Sequence, residues 1–226
     1  MERQERTEKR FSWFKAPVSN IVPEQETMSV LDVYKHIRTD AAKVQTEYLR
    51  SIADPKMRKK YKAQCFHTVT FSGIFSRRQD DCLIEHSELL CFDFDHVTNL
   101  ECVRARLLGL RQFKTILLFI SPSGDGLKWV IQIDLSKASH KQWFEGVGNY
   151  LKKTLGLTVD SSGANVSRAC FLPHDPECYI DPHLLPKLVE IDREAGKDGL
   201  LLDFMEAMGA SDITIKKNED GTKYNI

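Results

Sequence analysis

The sequence predicts an α+β fold, with a small mixed or antiparallel sheet and helices packed beside it. Two strongly apolar strand candidates, 88–95 and 115–120, bracket a helical pattern at Leu100, Val103, Leu107 and Leu110. The stretch Leu127–Asp134 then alternates cleanly, with Leu127, Trp129, Ile131 and Ile133 on one face and Lys128, Val130, Gln132 and Asp134 on the other. A helix candidate over 140–155 follows, with Trp143, Phe144, Val147 and Leu151 along one side, and a further strand candidate at 168–172. A strand–helix–strand run joined to a hairpin argues for mixed packing rather than a bundle or a sandwich.

The remaining elements can be read in order. Residues 1–27 are polar, charged and punctuated by proline, which predicts a flexible N-terminal arm on which Phe11, Trp13 and Phe14 are candidates to dock. Ser29 and Asp32 have capping-box spacing, and Val30, Val33, Tyr34, Ile37, Ala41, Val44 and Tyr48 continue at helical intervals. Asp54-Pro55 opens a short basic helix, Lys56-Met57-Arg58-Lys59-Lys60-Tyr61-Lys62, which reads equally as a solvated helix face or as a DNA contact. A strand candidate covers 66–71. Residues 28–183 are the expected principal domain, which includes an additional N-terminal α/β portion, and 184–226 a helical extension ending in a loose polar tail.

Composition removes several classes. With 42% hydrophobic and 28% charged residues the chain is neither disordered nor membrane-embedded, and no apolar run is long enough to span a bilayer. Its formal net charge of zero does not favour a constitutive nucleic-acid binder, although a local patch can outweigh the sum. The six cysteines include no Cys-x-x-Cys pair, so a zinc ribbon is not indicated, and Cys91 and Cys170 read as small core residues. His174 and Cys178 have ligand-like spacing but no second pair. With no signal-peptide core after the charged N-terminus, the expected compartment is the cytoplasm.

The chemistry begins at Asp93-Phe94-Asp95, which ends the apolar run Leu89–Phe92. Alternate strand residues share a face, so the two carboxylates point the same way while Leu90, Phe92 and Phe94 pack behind them. Paired acids repel and are costly to desolvate unless a cation joins them, and a hard ion such as Mg²⁺ or Mn²⁺ prefers oxygen ligands. A strand end exposing two solvated acids is the alternative.

The apolar strand 115–120 runs into Ser121-Pro122-Ser123-Gly124-Asp125-Gly126-Leu127-Lys128. Hydroxyls, close-approaching backbone N–H groups at glycine and a lysine suit a phosphate. The spacing is not that of a P-loop. The same residues form a Pro/Gly hairpin turn readily, and a hairpin whose tip carries phosphate ligands satisfies both readings. Further on, Asp160 offers a third carboxylate, with Asp134 and Asp175 as rivals, and Arg168 enters an apolar strand candidate, where it is either functional or paired with Asp160.

Together these motifs resemble the primase-polymerase superfamily of archaeo-eukaryotic type, and most closely the primase-like N-terminal domain of virulence-associated-E-type proteins from Bacteroidetes mobile elements. The resemblance rests on Asp93/Asp95, on Ser121-Pro122-Ser123-Gly124-x-Gly126-x-Lys128 and on Asp160…Ser167-Arg168, with Phe71–Arg78 and His86–Leu90 upstream, and covers roughly residues 30–180. It implies an RRM-like sheet flanked by helices as the catalytic half. It also implies that Asp93, Asp95 and Asp160 are the catalytic and metal-holding acids, and that Ser121, Ser123, Gly124, Lys128 and Arg168 bind nucleotide. Arg77 and Arg78 are the nucleic-acid candidates. Lys128 stands near the place where the wider superfamily usually has a histidine.

The expected function is a metal-dependent nucleotidyltransferase, a primase or polymerase, that makes or extends primers on a DNA template in mobile-element replication. It would use nucleoside triphosphates, Mg²⁺ or Mn²⁺ and a possible helicase partner. A noncatalytic DNA- or nucleotide-binding module that recruits a helicase is the alternative. A metal-dependent nuclease is a third reading, against which the phosphate turn argues.

Overall fold

A computed structural model describes residues 8–185 and the strands Thr214–Asn218 and Gly221–Asn225. The chain divides into two units at Leu185/Pro186. From its start the first unit forms β1 (Arg10–Phe11), β2 (Trp13–Phe14) and β3 (Met28–Ser29), followed by α1 (Val30–Arg38), α2 (Lys43–Ser51) and α3 (Pro55–Cys65). Short strands β4 (Thr68–Val69), β5 (Gly73–Phe75) and β6 (Leu83–His86) lead into β7 (Leu89–Phe94), α4 (Leu100–Leu108), β8 (Lys114–Ile120), β9 (Leu127–Gln132) and α5 (His140–Leu155). The unit ends with β10 (Cys170–Phe171) and β11 (Tyr179–Ile180).

The fold is mixed α+β. Its central sheet has the order β11-β8-β9-β7 and is antiparallel throughout. The succession β7–α4–β8–β9–α5–β11 is the βαββαβ order of the split βαβ motif, with β11 added beside β8, at the edge opposite β7. Side-chain alternation sorts the strands into two cores. Leu90, Phe92, Phe94, Leu127, Trp129 and Ile131 pack with Val103 and Leu107 of α4 and Phe144, Val147 and Leu151 of α5. The opposite face, with Leu89, Leu117, Phe119 and Val130, meets Phe11, α1 residues Val33 and Ile37, and Val69, Phe71 and Cys170.

Local chemistry explains the element ends. Ser29 and Asp32 form the capping box expected from their spacing, and Ser139 with Gln142 forms a second one that starts α5 at His140. Asp54 caps α3, with Pro55 in the first turn where its missing N–H costs nothing. The helical series from Val30 to Tyr48 is two helices rather than one. α1 stops where Thr39 turns to extended backbone, and a 3₁₀ turn over Asp40–Ala42 redirects the chain. Val44 and Tyr48 are therefore exposed, and α2 buries Thr46 and Leu49 instead.

Three expectations change. The arm expected over 1–27 is part of the folded unit from Arg10 onward. Phe11 and Phe14 are fully buried, and β1 and β2 pair with β3 and β4. Burying each such ring is worth about 1.5–3 kcal/mol, enough to order a polar segment. Within 66–71 only Thr68–Val69 is strand. In the second unit the tail is not loose throughout: Thr214–Asn218 (β12) and Gly221–Asn225 (β13) pair antiparallel, Thr214 opposite Asn225. The helices expected within 184–210 lie outside the described residues beyond the 3₁₀ turn Pro182–Leu184. Among the described residues no helix is long and apolar enough to cross a membrane.

Candidate active site

Asp93 stands on the edge strand β7, opposite Lys128 on β9, with its side chain on the face away from α4 and α5. Asp95 follows just past the strand end and is exposed. Asp160 comes from the far side of α5. Its N–H donates to the Asp93 carbonyl oxygen at 3.0 Å, which seats the 160s loop on β7. As a result Asp93, Asp95 and Asp160 each present an oxygen within 4.8 Å of the others.

The rival third acids are excluded by position. Asp134 follows the opposite end of β9 and holds Ser136 and Lys137 in a surface turn. Asp175 is buried, and its carboxylate accepts the N–H groups of Ile120 and Glu177.

Several contacts fix the Asp160 loop. Asp160 caps a 3₁₀ turn over Ser161–Ala164 and accepts from both the N–H and the hydroxyl of Ser162, at 3.0 and 2.6 Å. Arg168 donates to the same carboxylate at 2.8 Å. Burial tends to raise the Asp160 pKa, but Ser162 and Arg168 hold it below the usual carboxylate range. Ser167 donates to Asp80, and Ser72 donates to the Val166 carbonyl. Gly163 is required by space: a Cβ there would lie 2.6 Å from the Phe144 ring and 3.3 Å from the Cys91 carbonyl oxygen.

Asp93 is the most constrained of the three acids. Its Oδ2 forms an ion pair with Lys128, and both side chains are largely buried. Its Oδ1 is buried with no hydrogen-bond partner among the described residues. Burial raises the Asp93 pKa, with Lys128 opposing. Burial also acts against the Lys128 ammonium, but the Cys170 sulfur and the Asp93 carboxylate more than offset it and keep the amine charged. A buried carboxylate oxygen left without a donor is expensive unless something binds it. Three carboxylates with one such oxygen are an all-oxygen donor set, so these residues could hold a hard cation.

The phosphate-turn candidate lies beside the same strand end. Ser121 donates its N–H to the Gly126 carbonyl at 2.8 Å and accepts from the Gly124 N–H at 2.9 Å, so the turn is a tight hairpin between β8 and β9. Gly126 lies so close to β7 that a Cβ would fall 2.3 Å from the Phe94 carbonyl oxygen. Gly124 adopts φ +83°, with Arg50 packed against it. Arg50, on α2, donates to the Ser121 and Pro122 carbonyl oxygens at 3.3 Å each and anchors the turn. Lys128 does not stand at the turn's tip. It is inside the acid cluster, as the counter-charge of Asp93. Arg168 precedes β10 and is half-exposed, so it sits outside the apolar strand.

The nucleic-acid candidates Arg77 and Arg78 separate. Arg77 is exposed. Arg78 donates to the Val18 carbonyl, gives its N–H to Ile21 and lies over the Phe14 ring, so it holds the N-terminal segment.

Sequence reasoning passed over Arg50 and the pairing of His86 with His140, and left Lys62 undistinguished within the basic run 56–62. Lys62 on α3 reaches over the Phe171 ring at 5.6 Å, and burial and Lys128 lower its pKa while Asp93, Asp95 and Asp125 oppose. The signal was present in the basic run 56–62, but composition alone did not show which lysine turns inward. A small pocket opens beside Asp93, walled by Lys128, Cys91, Cys170, His140, Gly163 and Arg168.

The family model named BT4734-like, N-terminal domain matches residues 60–180, more than half of the chain. The chain belongs to that family. The BT4734-like match runs from within α3 to β11 and so contains the acids, the Ser121–Lys128 turn, Lys62 and Arg168, while Arg50 lies before it. No curated protein and no solved structure matches the chain.

Proposed function

We propose that this domain is a metal-dependent nucleotidyltransferase of primase-polymerase type, which makes or extends primers on a DNA template. The observation that carries this reading is the convergence of Asp93, Asp95 and Asp160 within 4.8 Å of one another, beside the Ser121–Lys128 turn. Phosphoryl transfer needs charge neutralisation and positioning more than covalent help from the protein. Held by these three acids, Mg²⁺ or Mn²⁺ would supply the Lewis-acid stabilisation of the attacking and leaving oxygens. The chain's own residues divide the remaining work. The hydroxyls of Ser121 and Ser123, which make no hydrogen bond among the described residues, and the backbone at Gly124 are placed to hold triphosphate oxygens. Lys128 keeps Asp93 ionised and oriented, and Arg168 does the same for Asp160 while presenting its remaining donors to the pocket. Lys62 supplies a further cation at the margin of the acids.

The test is incorporation of labelled nucleotides on single-stranded DNA with Mg²⁺ or Mn²⁺, comparing the unmodified chain with Asp93→Asn/Asp95→Asn. Incorporation should fall below detection in the variant while its thermal transition stays cooperative. Undiminished incorporation by the folded variant sinks the assignment.

A second reading has one observation in its favour. Lys128 already sits within the acid cluster as a counter-charge, so part of the acids' charge is balanced without any ion. On that reading the domain binds nucleotide or DNA without turnover and recruits a helicase. Saturable nucleotide binding without products, in either metal, would select it.

A further inference from the structure

We propose that the solvent face of α3 is a track for the phosphate backbone of a single-stranded nucleic acid, and that Lys62 is where this track meets the acid cluster. The proposal rests on the reading that the acids act on nucleic acid. It assigns the partner's route to a helix rather than to Arg77 and Arg78.

The argument starts from charge segregation. The chain carries 32 basic and 32 acidic residues, yet α3 contains Lys56, Arg58, Lys59, Lys60 and Lys62 and no acid. None of the five forms an ion pair among the described residues. Arg58 is occupied, donating to the Ile52 carbonyl at 3.0 and 2.6 Å to close the link from α2. Lys56, Lys59 and Lys60 are exposed at the i, i+3, i+4 spacing that puts them on one side. Like charges so placed repel and weaken the helix that carries them, unless a polyanion lies along it. Core packing does not account for the helix either, since none of its residues is buried.

Continuity with the site is the second argument. Lys62 follows Lys59 by three positions and lies over the Phe171 ring, next in sequence to the Cys170 that walls the Asp93 pocket, within electrostatic range of Asp93, Asp95 and Asp125. Arg50 ties α2 to the Ser121–Pro122 carbonyls, so the α2–α3 pair is fixed against the phosphate turn. A backbone lying on Lys56, Lys59 and Lys60 is thereby led to the acids. Bases have a surface as well. Tyr48 is 56% exposed and meets the Tyr61 ring of α3 edge-on at 4.8 Å, and Met57 is 54% exposed. Lysines along a backbone path with an exposed aromatic beside it are the usual provision for single strands.

The test is fluorescence anisotropy of a labelled single-stranded DNA oligonucleotide with the full chain, in EDTA so that the acids hold no ion, across a salt series. Lys56→Ala/Lys59→Ala/Lys60→Ala should weaken binding about tenfold or more and flatten the log–log salt slope by about 2, as expected for three lost contacts to single-strand phosphates. A charge-matched control on α5, Lys141→Ala/Lys152→Ala/Lys153→Ala, should leave affinity within about twofold. Tyr48→Ala should weaken binding without changing the slope. Equal losses in the α3 and α5 variants, or no binding by the unmodified chain, overturn the proposal. If heparin competes as well as DNA and Tyr48→Ala has no effect, the face is a general polyanion surface and the assignment to single strands falls. The two readings fail separately. Loss of binding in the α3 variant alongside an inactive unmodified chain leaves the track standing without the polymerase. Full incorporation by the α3 variant leaves the polymerase without the track.

Discussion

The two faces of β7 obey the same alternation and carry opposite contents. Toward α4 and α5 the strand presents Leu90, Phe92 and Phe94, and Phe92 stacks on Phe144 with ring centroids 5.3 Å apart and planes 11° from parallel. Toward the N-terminal layer it presents Leu89, Cys91 and Asp93, so an apolar series ends in a buried carboxylate joined to a buried lysine. The first face is explained by burial alone. The second includes an ion pair whose desolvation cancels much of its Coulombic gain, and a carboxylate oxygen with no partner. One face holds the sheet together, and the other holds a site in place at some cost to stability.

Substitutions on the two faces should therefore differ in kind. Phe92→Ala removes a fully buried ring and should cost about 3–5 kcal/mol, read by chemical denaturation, with no dependence on divalent metal beyond that of the unmodified chain. Lys128→Met leaves Asp93 buried without its cation and should cost toward the lower end of about 3–5 kcal/mol, because both side chains keep some exposure. The sharper difference is rescue. A divalent ion supplies the missing counter-charge, so Mn²⁺ should raise the Tm of Lys128→Met by more than it raises that of the unmodified chain. An equal Mn²⁺ shift in both proteins would erase the distinction between the faces.

The first face was legible in the sequence and the second only in part. Periodicity placed β7, β8, β9 and α5, and the capping spacing of Ser29 and Asp32 placed the start of α1, because burial and end hydrogen bonds act over a few residues. The same alternation put Asp93 and Asp95 on one side. It could not choose Asp160 over Asp134 and Asp175, since that choice depends on a single long-range hydrogen bond from the Asp160 N–H to the Asp93 carbonyl. Nor could it show Lys128 as a partner of Asp93, Arg50 beneath the turn or Lys62 over Phe171, all of which are contacts between distant segments. Two-residue strands such as β1, β2 and β11 leave almost no periodic signal, and Phe11 and Phe14, though candidates to dock, lay in a segment whose polar composition read as a flexible arm.

A pair of glycines refines the comparison at smaller cost. Gly163 fits between Phe144 on the apolar side and the Cys91 carbonyl at the site, and Gly163→Ala should cost about 1–3 kcal/mol by overpacking. It also displaces the turn that Asp160 caps, so Mn²⁺ affinity and incorporation should fall further than the stability loss accounts for. Gly146, within α5, has nothing within 4 Å of an added Cβ, and Gly146→Ala should stabilise by about 0.5–1 kcal/mol with incorporation unchanged. Parallel losses of stability and Mn²⁺ affinity in Gly163→Ala would make the 160s loop a packing element only.

The smallest effect expected is one of pH, and it arises where the site's support touches the N-terminal layer. His86 and His140 lie with Nε2 and Nδ1 3.0 Å apart. His86 Nδ1 accepts the Glu88 N–H at 2.8 Å, and His140 Nε2 is 3.4 Å from the Gly163 carbonyl. These contacts are consistent with both rings neutral: His86 donates to His140, and His140 donates to the loop that carries Asp160. Burial, reinforced by His140, lowers the His86 pKa to about 4, and burial also lowers that of His140. His86 takes up a proton near pH 6.5 in the unfolded chain and not until about pH 4 in the folded one. The unfolded state thus binds more protons across that interval, and stability is complete above pH 6.5 and declines as pH falls toward 4. His86→Asn should flatten that decline in a denaturation series between pH 7 and 4, while lowering stability at pH 7 by the lost hydrogen bond, about 1 kcal/mol. A decline of unchanged steepness in His86→Asn would move its origin to His36, His67 or the carboxylates and leave His86 as packing between β6 and α5.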